Sequence, residues 1–272
     1  MQAYICQTCG VQYSPSNLPP EQCFICEDER QYVPADGQKW TTLTKMEQGK
    51  FHNNWEIEEE HLFSIRTVPQ FAIGQTAYLL QDEEINILWD CLTYLDEQTK
   101  QTIVESGGID AIVLSHPHYY STQVEWAETF DAVIYIHEDD RKWVTRMSEA
   151  IEFWSGEVLE LSNTVSIHRL GGHFQGGAVL NWTKGSQGKG VLLTGDIIQV
   201  VADPGWVSFM YSYPNLIPLP ATKVARIAEK AGKLSFDRLY NAFHGIIDNG
   251  AYDSVQRSAH RYINALEDGL NS

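Results

Sequence analysis

Two histidines separated by one residue follow an apolar run in the sequence AIVLSHPHYYS, at His116 and His118. In an extended backbone, side chains two residues apart point to the same side, so both imidazoles can face one ion. The proline between them fixes its own φ and stiffens the pair. The spacing therefore predicts part of a metal site just past the end of a strand.

Three further candidate ligands lie at predicted strand ends beside a glycine. His173 lies in the turn RLGGHFQGG, Asp196 ends the apolar run VLLTGD, and His244 lies in NAFHG. A carboxylate at the end of so apolar a run needs a positively charged partner. One histidine at such a junction is more often a hydrogen-bonded structural residue. Five candidates that share this context favour a metal site.

The N-terminal segment carries a second set of candidate ligands. Four of the five cysteines form two C-x-x-C pairs: Cys6, Cys9, Cys23 and Cys26. In an intracellular chain this pattern is typical of a closed, four-ligand structural zinc site rather than of two disulfides. The segment also resembles the rubredoxin-like domain of rubrerythrins, which implies iron, although Glu27 replaces the glycine expected after the second pair. We predict zinc, with iron as the alternative, and Cys91 as a core residue.

Composition limits the classes of partner. The net charge is −17 over 272 residues, with an isoelectric point near 4.8. Such a charge repels nucleic acid and anionic lipid, so we expect a small-molecule substrate and neither nucleic acid nor membrane as a partner. The sequence shows neither an apolar run long enough to span a bilayer nor a signal peptide, which predicts a cytoplasmic protein. The oligomeric state is left open.

Strand-like and helix-like segments alternate along most of the chain, which predicts an α/β protein. The predicted domains are a four-cysteine module at residues 1–40, a linker or wrapping segment at 41–61 and a large domain at 62–272. The clearest predicted helices are Glu97–Glu105, Thr122–Phe130, Ala221–Lys233 and Asp253–Leu266. The polar stretches DEE and KGSQGKG predict hairpin turns.

The order His-x-His, Gly-Gly-His, Thr-Gly-Asp and His-Gly resembles the metallo-β-lactamase superfamily, from about residue 62 onward. The resemblance implies an αββα sandwich with the metal site at one edge of the paired sheets. It also implies that Asp90, at the end of the strand NILWD, supports the site from outside the ligand set. The ligands that it implies for the first ion are His116, His118, His173 and Asp196.

The sequence departs from this family where a second ion would bind. Tyr120 and Ser121 stand where two-metal relatives carry an aspartate and a histidine, which leaves only Asp196 and His244 for that ion. Two ligands are too few for a firm zinc site. We therefore predict one zinc ion, and hypothesise that Tyr120 or His244 takes over proton transfer or oxyanion contact.

The turn after the histidine pair also has a local interpretation. Thr122 and Glu125 have the spacing of a capping box, so Ser121 can simply precede a helix. Under this interpretation the tyrosines pack around a closed site.

The sequence as a whole predicts a metal-dependent hydrolase that acts on a small organic substrate through one zinc-activated water. One alternative is a mononuclear iron redox enzyme with a rubredoxin-like electron-transfer module, since iron is possible at either site. The other is a catalytically inactive zinc-binding protein that uses the fold for interaction. Metal content distinguishes the first two, and a broad substrate panel distinguishes the third.

Overall fold

The computed structural model describes residues 1–267. The chain divides into two compact units, of which the first ends at Trp154 and the second begins at Ser155. No helix in the described range combines the length and the apolar character that crossing a bilayer requires.

The first unit begins with a small module around the cysteines. Strands β1 (Ile5–Cys6) and β2 (Trp40–Thr41) pair antiparallel, and helix α1 (Leu43–Glu47) follows. Ile5 and Met46 are buried together with Tyr94, which lies in a loop of the same unit, between residues 90 and 96. An apolar cluster therefore fixes the module to the rest of the first unit.

The large sheet of the first unit has seven strands in chain order. The first three pairs of neighbouring strands are antiparallel, and the last three pairs are parallel. The strands are β3 (His52–Glu59), β4 (Leu62–Val68), β5 (Ala77–Gln81), β6 (Asn86–Trp89), β7 (Ala111–Val113), β8 (Val133–His137) and β9 (Ile151–Trp154). The segment expected to be a linker or wrapping segment thus contains α1 and the edge strand β3, while the domain boundaries themselves stay a prediction.

Two helices cross between the parallel strands of this sheet. Helix α2 (Glu97–Glu105) connects β6 to β7, and α3 (Gln123–Phe130) connects β7 to β8. Parallel neighbours need such crossovers, which place the ends of β6 and β7 at the same sheet edge. Short 3-10 turns at Pro117–Tyr119 and Glu138–Trp143 complete the unit.

The capping box expected at the start of α3 is wrong, although Thr122 is the N-cap residue. Its side chain does not cap the helix. The hydroxyl instead donates to the carbonyl oxygens of Leu92 and Thr93, at 3.1 and 3.0 Å. Glu125 binds Arg146 rather than reaching back to Thr122. Buried carbonyl oxygens therefore compete successfully for the hydroxyl proton.

Up to residue 267, the second unit contains a six-stranded sheet, two short hairpins and three helices. Its strand order is β10-β11-β12-β13-β18-β19, in which only β13 and β18 pair parallel. The elements are β10 (Val158–Glu160), β11 (Val165–Arg169), β12 (Ala178–Trp182), α4 (Gly185–Gly188), β13 (Val191–Leu193), β14 (Gln199–Val200), β15 (Val207–Ser208), β16 (Met210–Ser212), β17 (Ile217–Pro218), α5 (Ala221–Ala231), β18 (Arg238–Tyr240), β19 (Ile246–Ile247) and α6 (Ala251–Leu266).

Helices α5 and α6 cover the core of this unit. Val224 and Ile227 of α5 are buried in one cluster with Val255 of α6 and with Leu239 of the sheet. Their spacing is the apolar stripe of an amphipathic helix. All four helices predicted from the sequence are confirmed to within two residues at each end. Both predicted hairpins, β5–β6 and β12–β13, are confirmed as well.

Candidate metal centre

The four cysteines of the N-terminal module come together as predicted. Sγ of Cys6 lies 3.6 Å from Sγ of Cys26, and Sγ of Cys9 lies 3.6 Å from Sγ of Cys23. All four are at most 2% exposed, and none forms a disulfide. Four sulfurs at about 2.3 Å from a tetrahedral zinc are about 3.8 Å apart. The four donors therefore fit a zinc-ribbon module.

Hydrogen-bond donors surround the sulfurs of this cluster. Cys6 Sγ accepts from the backbone N–H of Thr8 at 3.4 Å and from Nε2 of Gln38 at 3.1 Å. The hydroxyl of Tyr13 donates to Cys23 Sγ at 3.5 Å. Such donors stabilise the thiolate form that binds a metal.

The structure explains why Glu27 can follow the second cysteine pair. The N–H of Gly10 closes the first turn by donating to the carbonyl of Cys6, with a φ of 81° that favours glycine. The N–H of Glu27 makes the equivalent bond to the carbonyl of Cys23, yet Glu27 has no positive φ. The second turn therefore does not require glycine.

The histidine pair lies just past β7, where the sequence placed it. His116 has an extended backbone, but Pro117 and His118 belong to a 3-10 turn, so strand alternation is the wrong explanation for their proximity. The ring centroids are 5.1 Å apart, and one nitrogen of each ring lies within 4.8 Å of the other. Both side chains are buried, at 1% and 6% exposed.

A chain of hydrogen bonds from β6 orients His116. Oδ1 of Asp90, directly after β6, accepts the backbone N–H of Ser115 at 2.8 Å. Oγ of Ser115 lies 2.9 Å from Nδ1 of His116. If Nδ1 donates its proton to Ser115, Nε2 presents its lone pair to a ligand. The sequence pointed to Asp90 but missed Ser115, whose only signal was its place before the histidine.

The two residues that replace metal ligands have local roles in the first unit. Oγ of Ser121 accepts from Nε2 of Gln75 at 2.9 Å and donates to the carbonyl of Cys91 at 3.2 Å. Tyr120 is 1% exposed, and burial raises the pKa of its hydroxyl well above the ordinary value. That hydroxyl has no hydrogen-bond partner in the described part of the chain. Cys91 itself is fully buried, as expected of a core residue.

In the second unit, His173 and Asp196 face each other. Nε2 of His173 lies 3.4 Å from Oδ1 of Asp196, and the two side chains are 2% and 6% exposed. Nδ1 of His173 lies 3.3 Å from the carbonyl oxygen of Met210. A carbonyl oxygen only accepts, so this contact favours the tautomer with the proton on Nδ1, in which Nε2 would present a lone pair to a metal ion beside the carboxylate. A shared cation stabilises such a pair.

Glycine-rich turns bring these two side chains into place. Gly171 and Gly172 have φ values of 77° and 117°, and a Cβ at Gly177 would lie 2.3 Å from the carbonyl oxygen of Gly171. Directly after β13, the hydroxyl of Thr194 donates to the carbonyl of Ile198 at 2.8 Å and so fixes the turn that presents Asp196.

His244 lies in the loop between β18 and β19 of the same unit and is half-buried. Its φ is 56°, an unfavourable value for a residue other than glycine. Oδ1 of Asn241 maintains the loop by accepting the N–H groups of Phe243 and Gly245, at 3.1 and 2.7 Å. Among the described residues, His244 does not join His173 and Asp196 in a group of ligand atoms within 4.8 Å.

Comparisons with known proteins place these motifs in a family. The model of the metallo-beta-lactamase superfamily matches residues 72–244. A Bacillus subtilis (strain 168) protein described as "Uncharacterized protein YmaE" is 63% identical over 271 residues, which are 99% of each chain. The chain therefore belongs to the metallo-β-lactamase superfamily, as the order of its motifs predicted.

Solved structures agree on the fold. The chain resembles the metallo-β-lactamase DIM-1 with a TM-score of 0.57 and 14% identity, over 77% of this chain and 98% of that one. It also resembles FIM-1 from Pseudomonas aeruginosa in its mono-zinc form, with a TM-score of 0.55 and 15% identity, over 78% and 96% of the two chains. The predicted metallo-β-lactamase fold is confirmed, and it is the fold of a family composed mostly of metal-dependent hydrolases.

Proposed function

We propose that the protein is a hydrolase of a small organic substrate that works with one zinc ion bound by His116, His118, His173 and Asp196. Three imidazoles and one carboxylate are donors that zinc prefers. When bound, zinc would polarise a substrate carbonyl and would lower the pKa of a water that enters as a fifth ligand to about 7. Membership of a family of metal-dependent hydrolases supports the reaction class.

The observation that carries the proposal is the pair formed by His173 and Asp196. Nε2 of His173 and Oδ1 of Asp196 lie 3.4 Å apart in a buried environment, while Nδ1 of His173 faces the carbonyl oxygen of Met210. Both atoms are of the kind that zinc binds, and a cation held between them would neutralise the buried carboxylate. The buried histidine pair of the first unit supplies the other two donors.

The local roles of Ser121 and Tyr120 support one ion rather than two. The Ser121 hydroxyl is used by Gln75 and Cys91, and the Tyr120 hydroxyl is buried. Neither hydroxyl is a substitute for the aspartate and histidine that two-metal relatives carry at these positions, since zinc prefers imidazole, thiolate and carboxylate ligands. FIM-1, which shares the fold, has a structure in a mono-zinc form.

Residues around the proposed zinc site would then have two roles, orientation of the ligands and proton transfer. Ser115 holds the His116 ring in one orientation, and Met210 does the same for His173. His244 is the better candidate for proton transfer, because it is half-buried and can exchange protons with solvent, whereas the Tyr120 hydroxyl is enclosed. The unfavourable φ of His244, maintained by Asn241, is typical of a functional position.

We further propose that the four cysteines bind a second, structural zinc ion. The sulfur positions suit iron equally well, so the redox enzyme remains the alternative function. A visible absorbance from a ferric four-thiolate centre in freshly purified protein would favour it.

Turnover of a panel of esters, thioesters and lactones tests the proposal. We expect hydrolysis of at least one class by the wild type, loss of that activity in His118→Ala, and retention in the matched variant His168→Ala, whose half-buried histidine contacts Ser166 instead. Activity that survives His118→Ala would overturn the proposal. A wild type that binds zinc but turns over nothing in the panel would favour the inactive zinc-binding protein.

A further inference from the structure

The four-cysteine module makes its most extensive polar contacts through Gln12. The N–H of Gln12 donates to the carbonyl of Ser121 at 3.0 Å, and its own carbonyl accepts from the hydroxyl of Thr145 at 2.7 Å. Its Nε2 donates to Glu125 at 3.1 Å, and its Oε1 accepts from Arg146. Gln12 is 3% exposed. Two of its four polar groups therefore bind the segment that follows the histidine pair, and the other two bind the chain just after the 3-10 turn Glu138–Trp143.

A second contact joins the module to the segment after β6, residues 91–93, which is called the strip below. The carbonyl of Gly10 accepts from the hydroxyl of Thr93 at 3.2 Å, and a Cβ at Gly10 would lie 2.5 Å from Oγ1 of Thr93. Carbonyl groups of this strip accept hydrogen bonds from Ser121, Thr122 and Trp126. The module thus contacts both the loop after the histidines and the strip that holds this loop.

The cysteine cluster fixes the turn that carries these contacts. Gly10 and Gln12 lie one and three residues beyond Cys9 in the sequence. Cys6 brackets the turn, since its carbonyl accepts the N–H of Gly10 at 2.9 Å and its N–H donates to the carbonyl of Val11 at 3.0 Å. A metal held by Cys6 and Cys9 therefore determines where the Gln12 N–H points.

The recipient of that hydrogen bond is a strained residue. Ser121 has a φ of 44°, which is unfavourable for a residue other than glycine. It directly follows Tyr120, the C-cap residue of the 3-10 turn that contains His118. Bonds to Gln12, Gln75 and Cys91 keep it in this conformation. Relaxation of Ser121 would change the direction in which the chain leaves the histidine turn.

We propose that the four-cysteine module is a positioning element for the metal site, in which Gln12 holds Ser121 and thereby fixes the turn that carries His116 and His118. The inference rests on the proposed function in one respect, namely that these histidines bind zinc. It assigns the module a role in the geometry of the site, beyond folding of the N-terminal segment. Gln12 acts through Ser121 and is a positioning residue.

Hydrogen exchange of the full-length zinc protein tests the inference. Gly10→Ala introduces a side chain against Thr93, whereas Gly37→Ala in the same module has an equally positive φ of 86° but nothing within 4 Å of its Cβ. We expect amides of residues 114–122 to exchange about tenfold faster in Gly10→Ala than in wild type and Gly37→Ala, and zinc at the histidine site to bind about tenfold more weakly. Helix α6 (Ala251–Leu266), which contains none of the proposed zinc ligands, serves as the internal reference.

A second variant is needed because Gly10→Ala could also act by perturbing the cysteine cluster. Thr93→Val preserves shape and lies outside the module but removes the hydroxyl that binds Gly10. We expect faster exchange at residues 114–122 and an altered visible spectrum of cobalt at the histidine site, with four-cysteine metal retained. Unchanged exchange in both variants would overturn the inference. A wild-type histidine site that binds no zinc would instead overturn the proposed function, while the exchange data would still decide whether the module positions the turn.

Discussion

The Asp90 carboxylate accepts the backbone N–H of Ser115 at 2.8 Å, and the Ser115 hydroxyl lies 2.9 Å from Nδ1 of His116. A buried carboxylate at the end of one parallel strand thus sets the orientation of a ring at the end of the next. In the second unit a ring is oriented more directly, because the carbonyl oxygen of Met210 contacts Nδ1 of His173. In both cases the partner of one ring nitrogen determines what the other can bind.

Two replacements of Asp90 distinguish what its hydrogen bond contributes to stability from what its backbone conformation contributes. Asp90→Ala leaves the Ser115 N–H without an acceptor, which costs about 1–3 kcal/mol. It also places alanine at a φ of 60°, which costs about 1–2 kcal/mol more. Asp90→Asn keeps an acceptor oxygen and tolerates this φ, so we expect less than half the loss. Urea unfolding of both variants checks this, and equal losses would contradict it.

Ser121→Ala should lower stability without removing metal. It loses the hydrogen bonds to Gln75 and Cys91, at a cost of about 1–3 kcal/mol. Ser121→Gly loses the same bonds but relieves the positive φ, so it should be the more stable of the two by up to about 1 kcal/mol. With zinc in excess, so that a site weakened about tenfold still fills, elemental analysis should give the wild-type zinc content for both. Loss of a zinc ion would show that Ser121 contributes to a metal site.

Tyr120→Phe should leave stability unchanged or raise it. The Tyr120 hydroxyl is buried without a hydrogen-bond partner in the described residues, so its removal sacrifices no bond. Tyr213→Phe is the matched comparison, because its hydroxyl donates to the carbonyl of Asp196 at 2.9 Å and its loss should cost about 0.5–1.5 kcal/mol. Thermal unfolding distinguishes the two. Turnover that survives Tyr120→Phe would leave His244 as the candidate for proton transfer.

Two buried cysteines of the first unit should respond differently to substitution by serine. Cys9→Ser removes a sulfur from the four-cysteine cluster, and we expect the protein to lose about one metal ion per chain and to unfold at lower urea concentration. Cys91→Ser alters a core residue outside any cluster and should retain all bound metal. Metal loss in Cys91→Ser would contradict this assignment.

The sequence predicted the elements with strong local signals. Helix α5 follows from its apolar spacing, and the cysteine cluster follows from two C-x-x-C turns whose closure needs few other residues. The family followed from the order of four motifs. Each of these patterns is local, so the sequence contains most of the information needed.

The features that the sequence missed depend on contacts between distant residues. The Thr122 hydroxyl donates to carbonyl groups about 30 residues earlier in the sequence instead of capping α3. Ser121 accepts a hydrogen bond from Gln12, which is more than 100 residues away. Hydroxyl and backbone groups of this kind have no periodic pattern in the sequence. Only the fold reveals which of them are neighbours.

Metal content of protein purified without added metal tests the central claim most directly. Wild type, His118→Ala and the control His168→Ala are compared by elemental analysis. We predict about two zinc ions per chain for the wild type and for His168→Ala, and about one for His118→Ala. One zinc ion per chain in all three proteins would contradict the account, because it would mean that the histidine site binds no metal.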